Sequence, residues 1–396
     1  MSLVSEGKAV LLQLSKDLVR DIKRGHVWIY SDAISRLVKA PSGTVAILQD
    51  RKGERIASGI YDPQHAIPLR ICRTSAPYTL DDNWLADRLM QAYKLRTEFF
   101  DSQTTGYRLI FGEGDLVPGL VIDVYGETAV MKRDGGAPEH FYQPQGIARW
   151  LVEHLPIERV VLRSRERGRG GEVLIGPEVT APVAFLENGL RFTADVIQGQ
   201  KTGFFLDQRD NRAIVRRLSA NRRVLNLFSF NGGFSIAAGL GGASQVTSVD
   251  IAAPAVEAAC NHWRDNNLPK DRHVGVASDV FEFLDSAGRN KQQWDFVICD
   301  PPSFAPNESS KPSALAAYSR LAQLATKSTA TGGLLALASC SSHVNHSDFL
   351  ECNSEAIGRA RRKATLLADC GMPLDHPSPL AMPELRYLKF MLFRLD

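Results

Sequence analysis

The chain reads as an α/β protein: a C-terminal Rossmann-like domain with a parallel sheet, preceded by a small β-barrel and a central α+β segment. Three observations predict this. From about residue 191 strand-like runs alternate with helix-like ones, the pattern of a parallel sheet covered by helices on both faces. Two of those later strands end in polar triplets, Asp300-Pro301-Pro302 and Ser339-Cys340-Ser341. The first segment, to about residue 72, instead has short alternating apolar runs broken by turn residues. At 396 residues the chain exceeds one ordinary core, so two or three domains are expected. The boundaries fall at 1–74, 75–192 and 193–396.

In the first segment, residues 45–48 form an apolar run followed by the turn Asp50-Arg51-Lys52-Gly53, and residues 55–61 and 67–72 read as further strands. In the second, apolar residues at Trp84, Leu85, Leu89, Met90, Tyr93, Leu95 and Phe99 have helical spacing over 81–100. Asp81-Asp82 gives that helix an acidic start that suits its dipole. Residues 107–126, with glycines at 112, 114, 119 and 126 and Pro118, form a turn-rich strand pair. A helix over 147–155 and a strand over 159–163 follow. The run from Arg163 to Gly171 is basic and glycine-rich. Its Arg165, Arg167 and Arg169 are candidates for RNA phosphate contact, since arginine with glycine suits a backbone; the plainer reading is a solvated hairpin tip. In the third segment, 224–228, 245–250, 295–300 and 333–339 are strand-like, and 387–393 is a last strand. Residues 232–240, 254–266, 313–328 and 347–361 are helix-like.

Composition narrows the function classes. The chain is 44% hydrophobic and 23% charged with a net charge of +3, so any nucleic-acid surface must be a local patch. Six scattered cysteines, Cys72, Cys260, Cys299, Cys340, Cys352 and Cys370, form no C-x-x-C pair. That argues against a metal site and a disulfide framework, and fits a reducing cytoplasm. Glu6 and Lys8 break any signal-peptide layout. No apolar run approaches the roughly 20 residues that span a bilayer. A soluble cytoplasmic protein without a membrane role is expected.

Ligands of such sheets bind at the carboxyl ends of the strands. There the first strand of the third segment runs into Asn226-Leu227-Phe228-Ser229-Phe230-Asn231-Gly232-Gly233-Phe234. Gly232-Gly233 allows close backbone approach to a ligand and opens a helix. Phenylalanines stand where G-x-G-x-x-G would have glycines, so pyrophosphate is disfavoured. Asp250 ends the second strand, 18 residues after Gly232, a spacing that suits ribose hydroxyls. Asp279 follows the third strand and is placed to face an adenine amino group. Each aspartate alone reads equally well as a helix N-cap. The ordered set Asn226 to Gly232, Asp250, Asp279, Asp300-Pro301-Pro302 resembles class I S-adenosylmethionine-dependent methyltransferases.

The run Gln200-Lys201-Thr202-Gly203-Phe204-Phe205-Leu206-Asp207-Gln208-Arg209-Asp210-Asn211-Arg212 is too polar for a strand and too specific for a linker. With Asn226 to Phe234 it resembles the bacterial 23S ribosomal RNA cytosine methyltransferase I family. The resemblance covers nearly the whole chain. Arg24 to Tyr30 is similar to the start of that family's N-terminal PUA domain, and 108–120 to part of its small central domain, an EEHEE-like fold. The resemblance implies S-adenosyl-L-methionine as cofactor and large-subunit ribosomal RNA as substrate, with a homodimer as one arrangement. It implies cofactor contacts at Gln200, Lys201, Thr202, Gly203, Phe205, Asp207, Phe228, Ser229, Asn231, Gly232, Gly233, Asp250, Asp279 and Asp300, and RNA contact at Arg24.

The chemistry follows from the two triplets. Carbon-5 of cytosine is a poor nucleophile until a thiolate adds to carbon-6, which is covalent catalysis and needs an accessible cysteine. Cys340 suits this, because its loop shares a rim with Gly232 and Asp300. The other cysteines read as small buried apolar residues, with Cys299 pointing away from the pocket. Prolines 301 and 302 stiffen the turn after Asp300, which by resemblance holds the edge of a flipped base, with Phe304 stacking on it. Another group of RNA cytosine methyltransferases has a second cysteine after this motif; Ser303 stands there instead. Product release then needs another base, for which Asp207 and Asp300 are candidates. Two rival readings are a ribosomal RNA guanine N-methyltransferase, which needs no cysteine, and a non-catalytic RNA-binding protein on a retained methyltransferase fold.

Overall fold

The computed structural model describes residues 1–164 and 169–396, so Arg165 and Arg167 lie outside the described residues. The chain divides into two units. The first is Met1–Glu187, Thr193–Leu206 and Leu374–Leu385; the second is Asn188–Phe192, Asp207–Pro373 and Arg386–Asp396.

In the first unit, alternating apolar residues build two five-stranded sheets. One contains β1 (Val10–Gln13), β2 (Trp28–Ile29), β3 (Thr44–Gln49), β4 (Arg55–Tyr61) and β5 (Leu69–Arg73) in the order β1-β3-β4-β5-β2. The helix α1 (Val19–Lys23) lies between its first two strands in sequence. Leu12, Leu48, Ala57, Tyr61 and Ile71 fill its core. The other contains β6 (Gly106–Phe111), β7 (Leu120–Tyr125), β8 (Thr128–Arg133), β9 (Arg159–Leu162) and β10 (Glu172–Ile175) in the order β10-β9-β8-β7-β6. Its core takes Trp84, Leu85 and Leu89 from α2 (Asp82–Phe99) and Ile147 and Leu151 from α4 (Pro144–His154), with the short α3 (Ala137–Phe141) contributing Phe141. Asp81 caps α2 through the Trp84 N–H, the use that an acidic residue finds at a helix start. The chain passes to the second unit after β11 (Val183–Glu187) and returns to the first within β12 (Leu190–Ala194).

The second unit is built on seven strands: β13 (Arg223–Leu227), β14 (Gln245–Asp250), β15 (His273–Ala277), β16 (Trp294–Cys299), β17 (Thr329–Ser339), β18 (Ala364–Cys370) and β19 (Lys389–Leu395). Their order is β15-β14-β13-β16-β17-β19-β18. The first five run parallel and β19 is antiparallel to both its neighbours. A parallel sheet is covered on both faces, so its inner strands are continuous apolar runs, as in Phe296 to Cys299 and Leu334 to Ala338. One face carries α5 (Arg209–Leu218), α6 (Gly233–Leu240) and α7 (Ala253–Asp265); the other carries α8 (Val280–Arg289), α9 (Lys311–Ser328) and α10 (His346–Arg359). This is the Rossmann-like sheet the alternation predicts. Two of its elements escape that pattern. Helix α5 buries Arg209, Asn211 and Arg212 beside Val215, so its apolar stripe is short. Strand β18 is an edge with Leu366 and Leu367 exposed.

Candidate active site

The strand order reverses between β13 and β16. In an open parallel sheet the crevice for a ligand lies there, outside the carboxyl ends. The loop after β13 turns sharply. Phe228 has φ +56°, Phe230 +47° and Gly232 +84°. Left-handed backbone at a bulky residue costs about 1–3 kcal/mol and persists only when its surroundings enforce it. Here they do. The Ser229 N–H donates to the Val249 carbonyl at 2.9 Å and the Phe230 N–H to Asp250 Oδ2 at 2.8 Å. Buried His262, from α7, lies with Nδ1 2.9 Å from the Asn231 carbonyl oxygen. Burial lowers its pKa and so keeps it neutral, which lets one ring N–H donate to that oxygen.

Gly232 is required for two reasons. Its φ favours glycine, and a Cβ there would fall 2.7 Å from the Cβ of Ala259 on α7. Helix packing therefore explains this glycine more directly than the approach of a ligand. Gly233 opens α6.

Asp250 accepts from the Ala252 N–H through Oδ1 and from Phe230 through Oδ2. A carboxylate offers about four acceptor sites, so capacity is left for hydroxyl donors. Ile251, next to it, is 74% exposed, an apolar side chain open to a flat ring. Ser229 is 5% exposed, yet its Oγ has no partner among the described residues. An acceptor carboxylate, an apolar platform and an orphaned hydroxyl fit a nucleoside. Asp279 has the plainer role: Oδ1 caps α8 by accepting from Phe281 and Glu282 N–H groups at 2.8 and 3.1 Å.

The neighbouring strand ends, β16 and β17, carry the other chemistry. Cys299 pairs with Leu337, so Asp300 and the Ser339 to Ser341 turn leave the sheet side by side. Asp300 Oδ1 accepts from Gln208 Nε2 at 2.8 Å, and Gln208 Oε1 accepts from Asn211 Nδ2 at 2.7 Å. Both amides are buried, so this relay fixes the Asp300 carboxylate. Asp207 Oδ2 accepts from the Tyr387 hydroxyl at 2.6 Å.

Half-buried Cys340 sits at the top of β17. Its flanking serines pin the turn. Ser339 Oγ donates to the Tyr318 hydroxyl oxygen at 3.0 Å, and Ser341 Oγ to the Ala305 carbonyl at 3.1 Å. Ser303 Oγ donates to that same carbonyl at 3.4 Å. The Pro-Pro loop and the cysteine loop are thus tied at one oxygen. Lys389 Nζ donates to the Ser341, Val344 and Tyr387 carbonyls. Phe304 packs on Tyr318, with centroids 4.8 Å apart, and faces Phe228 at 6.4 Å; it is half-buried. Burial pushes the Cys299 and Cys72 thiols well up, which makes both unreactive.

Gln200, Lys201, Thr202, Gly203 and Phe205 belong to the first unit. Thr202 is buried there, hydrogen-bonded to Asp123 and the Tyr125 hydroxyl. The Lys201 ammonium lies 4.3 Å over the Phe205 ring. The Gly203 N–H donates to the Gln200 carbonyl at 2.9 Å. Arg24 and Arg169 are exposed on the same unit, and Arg169 lines a cavity of about 220 Å³ with Arg133 and Arg163.

The sequence reading missed Gln208, Asn211, Tyr387 and Lys389 as members of the site. Two carried a signal. Gln208 and Asn211 lie in the run judged too polar for a strand.

Residues 154–360 match the S-adenosylmethionine-dependent methyltransferase family and residues 12–74 the PUA-like domain. A ribosomal RNA large subunit methyltransferase of Deinococcus radiodurans is 39% identical over 99% of this chain and 99% of its own length. Ribosomal RNA large subunit methyltransferase I of Escherichia coli is 33% identical over 96% and 98%. The chain belongs to the large-subunit ribosomal RNA methyltransferase I family. As a member, it is an S-adenosylmethionine-dependent methyltransferase with an N-terminal PUA-like domain. Solved structures support the fold. A SAM-dependent methyltransferase from Streptococcus mutans aligns with a TM-score of 0.82 at 24% identity over 97% of this chain. A further methyltransferase, solved with SAH, aligns at 0.84 and 24% over 97%. In this methyltransferase, the nucleoside-like features at Ser229, Asp250 and Ile251 are the ones that fit the cofactor.

Proposed function

We propose that this methyltransferase forms 5-methylcytosine in 23S ribosomal RNA through a covalent adduct at Cys340. The observation that carries this reading is the placement of Asp300 and Cys340 just beyond the ends of adjacent strands, with their loops tied at the Ala305 carbonyl. A guanine N-methyltransferase would have no use for a cysteine held there.

The cofactor supplies a methyl group made electrophilic by its sulfonium sulfur. Ser229, Asn231, Asp250 and the loop at Gly232 would hold it, with Asp207 and Asp279 as further contacts that the family resemblance offers on the same unit. The Cys340 thiolate adds to carbon-6 of the flipped base, which places an enamine at carbon-5. Carbon-5 takes the methyl as the sulfonium's bond to it breaks and leaves a neutral thioether, a base removes the carbon-5 proton, and the bond from carbon-6 to the cysteine sulfur breaks to return the thiolate. Asp300, fixed by Gln208, accepts from the exocyclic amine of cytosine, the donor that distinguishes this base. Phe304, on that carboxylate's own loop, offers an aromatic face on which the base can stack. Arg24 and Arg169 contact phosphate, with Arg165 and Arg167 as further candidates, in a binding that weakens with salt. A cytoplasmic setting goes with a ribosomal substrate and six free thiols.

Tritiated cofactor with 23S RNA tests this directly. Cys340→Ala is expected to abolish 5-methylcytosine, and RNA carrying 5-fluorocytosine to trap the wild-type protein covalently. Undiminished 5-methylcytosine from the variant would sink the mechanism. Label in guanine would move the reading to the nitrogen methyltransferases, and cofactor binding without any methyl transfer would mark a non-catalytic RNA-binding protein.

A further inference from the structure

Lys389 is a charged residue at the start of a strand that continues with the apolar run Phe390 to Phe393, and it is 4% exposed. Its Nζ lies 2.5 Å from the Ser341 carbonyl oxygen, 2.7 Å from that of Val344 and 2.8 Å from that of Tyr387. Three acceptors call for three N–H donors, which an ammonium has and a neutral amine lacks. The geometry thus fits the charged form. Ser341 follows Cys340 directly and Val344 lies three residues on, so two of the bonds wrap the cysteine loop around one nitrogen. Burial pulls the Lys389 pKa down to about 8, and the Cys340 sulfur acts in the opposite sense.

Other ionisable groups face this corner from the packed elements. Tyr318, from α9, has its phenol pushed up to about 12 by burial and is neutral. Asp300 stands at the end of β16, held by Gln208. Asp207 is reached through the Tyr387 hydroxyl. Of these four groups only Lys389 can be positive, and a cation beside a thiol favours the thiolate.

We propose that Lys389 is the positioning residue of the nucleophile: its ammonium shapes the Cys340 loop through three carbonyl bonds and supplies the local charge that favours thiolate over thiol. Its catalytic meaning rests on the reading of Cys340 given above; its effect on the sulfur does not. Lys389 is not the base that takes the carbon-5 proton, since a nitrogen with all its N–H groups engaged has no lone pair to offer.

Iodoacetamide alkylation of Cys340 in the full-length protein, followed by peptide mass spectrometry across pH, tests this. Lys389→Gln keeps donors for the loop but removes the charge. The midpoint of its Cys340 profile is expected to rise by about one pH unit, which is about tenfold slower labelling at neutral pH. Lys389→Arg keeps the charge and is expected to stay near the wild-type midpoint. A Gln variant that folds, as judged by calorimetric binding of S-adenosylhomocysteine, and labels with the wild-type profile would overturn the proposal. Should the Gln variant not fold, the wild-type chain still decides. Cys260 and Cys370 have thiols raised by burial, and Cys340 must titrate below both; a midpoint level with theirs overturns the proposal. Methyl transfer by Cys340→Ala reports separately on the nucleophile, so the two readings fail independently.

Discussion

The two halves of the strand-end rim are built in different ways. At β13 and β14 the shape is made by backbone: three left-handed residues, amide donors to Asp250, and a histidine on the Asn231 carbonyl. At β16 and β17 it is made by side chains: Gln208 on Asp300, Ser303 and Ser341 on the Ala305 carbonyl, and Lys389 under the cysteine loop. A backbone-built site tolerates side-chain truncation but not added volume. A side-chain-built site fails when one group is removed. The difference matches the two tasks. Holding a cofactor needs a fixed surface, whereas covalent attack needs a nucleophile and a carboxylate set at a defined separation.

The sharpest contrast lies between Cys340→Ala and Ser229→Ala. The first should reduce methyl transfer to background and leave S-adenosylhomocysteine affinity unchanged. The second should weaken calorimetric affinity by a few-fold, in line with about 1 kcal/mol for one hydrogen bond, with methyl transfer retained at saturating cofactor. Equal loss of both functions in both variants would erase the distinction.

Added volume should reverse the ranking. Gly232→Ala places a Cβ 2.7 Å from that of Ala259 at a φ of +84°. Left-handed strain and overpacking together are expected to remove about 2–4 kcal/mol of stability, read from denaturant midpoints, and cofactor affinity with it. A variant of wild-type stability would show that α7 yields, and that the half thought rigid is not. Gln208→Ala comes next. It removes one hydrogen bond from Asp300 and one from the Asn211 amide, so kcat/KM should fall by about fivefold to a hundredfold, equivalent to about 1–3 kcal/mol. Gln208→Glu should fall further, since it sets a second carboxylate against Asp300.

What the sequence disclosed follows the same division. Strands β4 and β14 are legible to the residue because each is a short run bounded by turn residues, and the loop after β13 because Gly232-Gly233 and Asp250 are chemically unusual at strand ends. Helix α5 is not, because Arg209, Asn211 and Arg212 share its inward side with Val215; the 3.6-residue apolar rule has little to detect. Lys389 was read past for a related reason. Inside an apolar run it looks like an edge-strand charge, and its partner loop lies 48 residues away. Gln208 finds Asp300 at a separation of 92 residues. Local pattern announces the groups that do chemistry, but the groups that hold them are specified by tertiary contact.

The smallest expected effect is in pH dependence, and it assigns a different limb to each half. His273 stacks on Trp263 and its Nε2 lies 2.7 Å from Ser248 Oγ, which in turn meets Ser235 and so reaches Asn226 beneath the β13 loop. Burial lowers the His273 pKa to about 4 from an ordinary 6.5, and His262 is lowered for the same reason. In both, the unfolded chain takes up the proton first. The stability these rings contribute is therefore complete above pH 6.5 and declines as pH falls toward 4. Denaturant unfolding across that range should show the slope, and His273→Gln should flatten part of it even though the loss of stacking lowers the whole curve. Lys389 acts on the other side, near pH 8, where its deprotonation would loosen the cysteine loop and leave the β13 loop untouched. S-adenosylhomocysteine binding should then fade on the acid side and hold on the alkaline side, whereas methyl transfer at saturating cofactor, which also loses its thiolate in acid, should fall on the alkaline side as well. If binding fades together with methyl transfer on the alkaline side, the two halves are a single cooperative element and the contrast between them is one of construction alone.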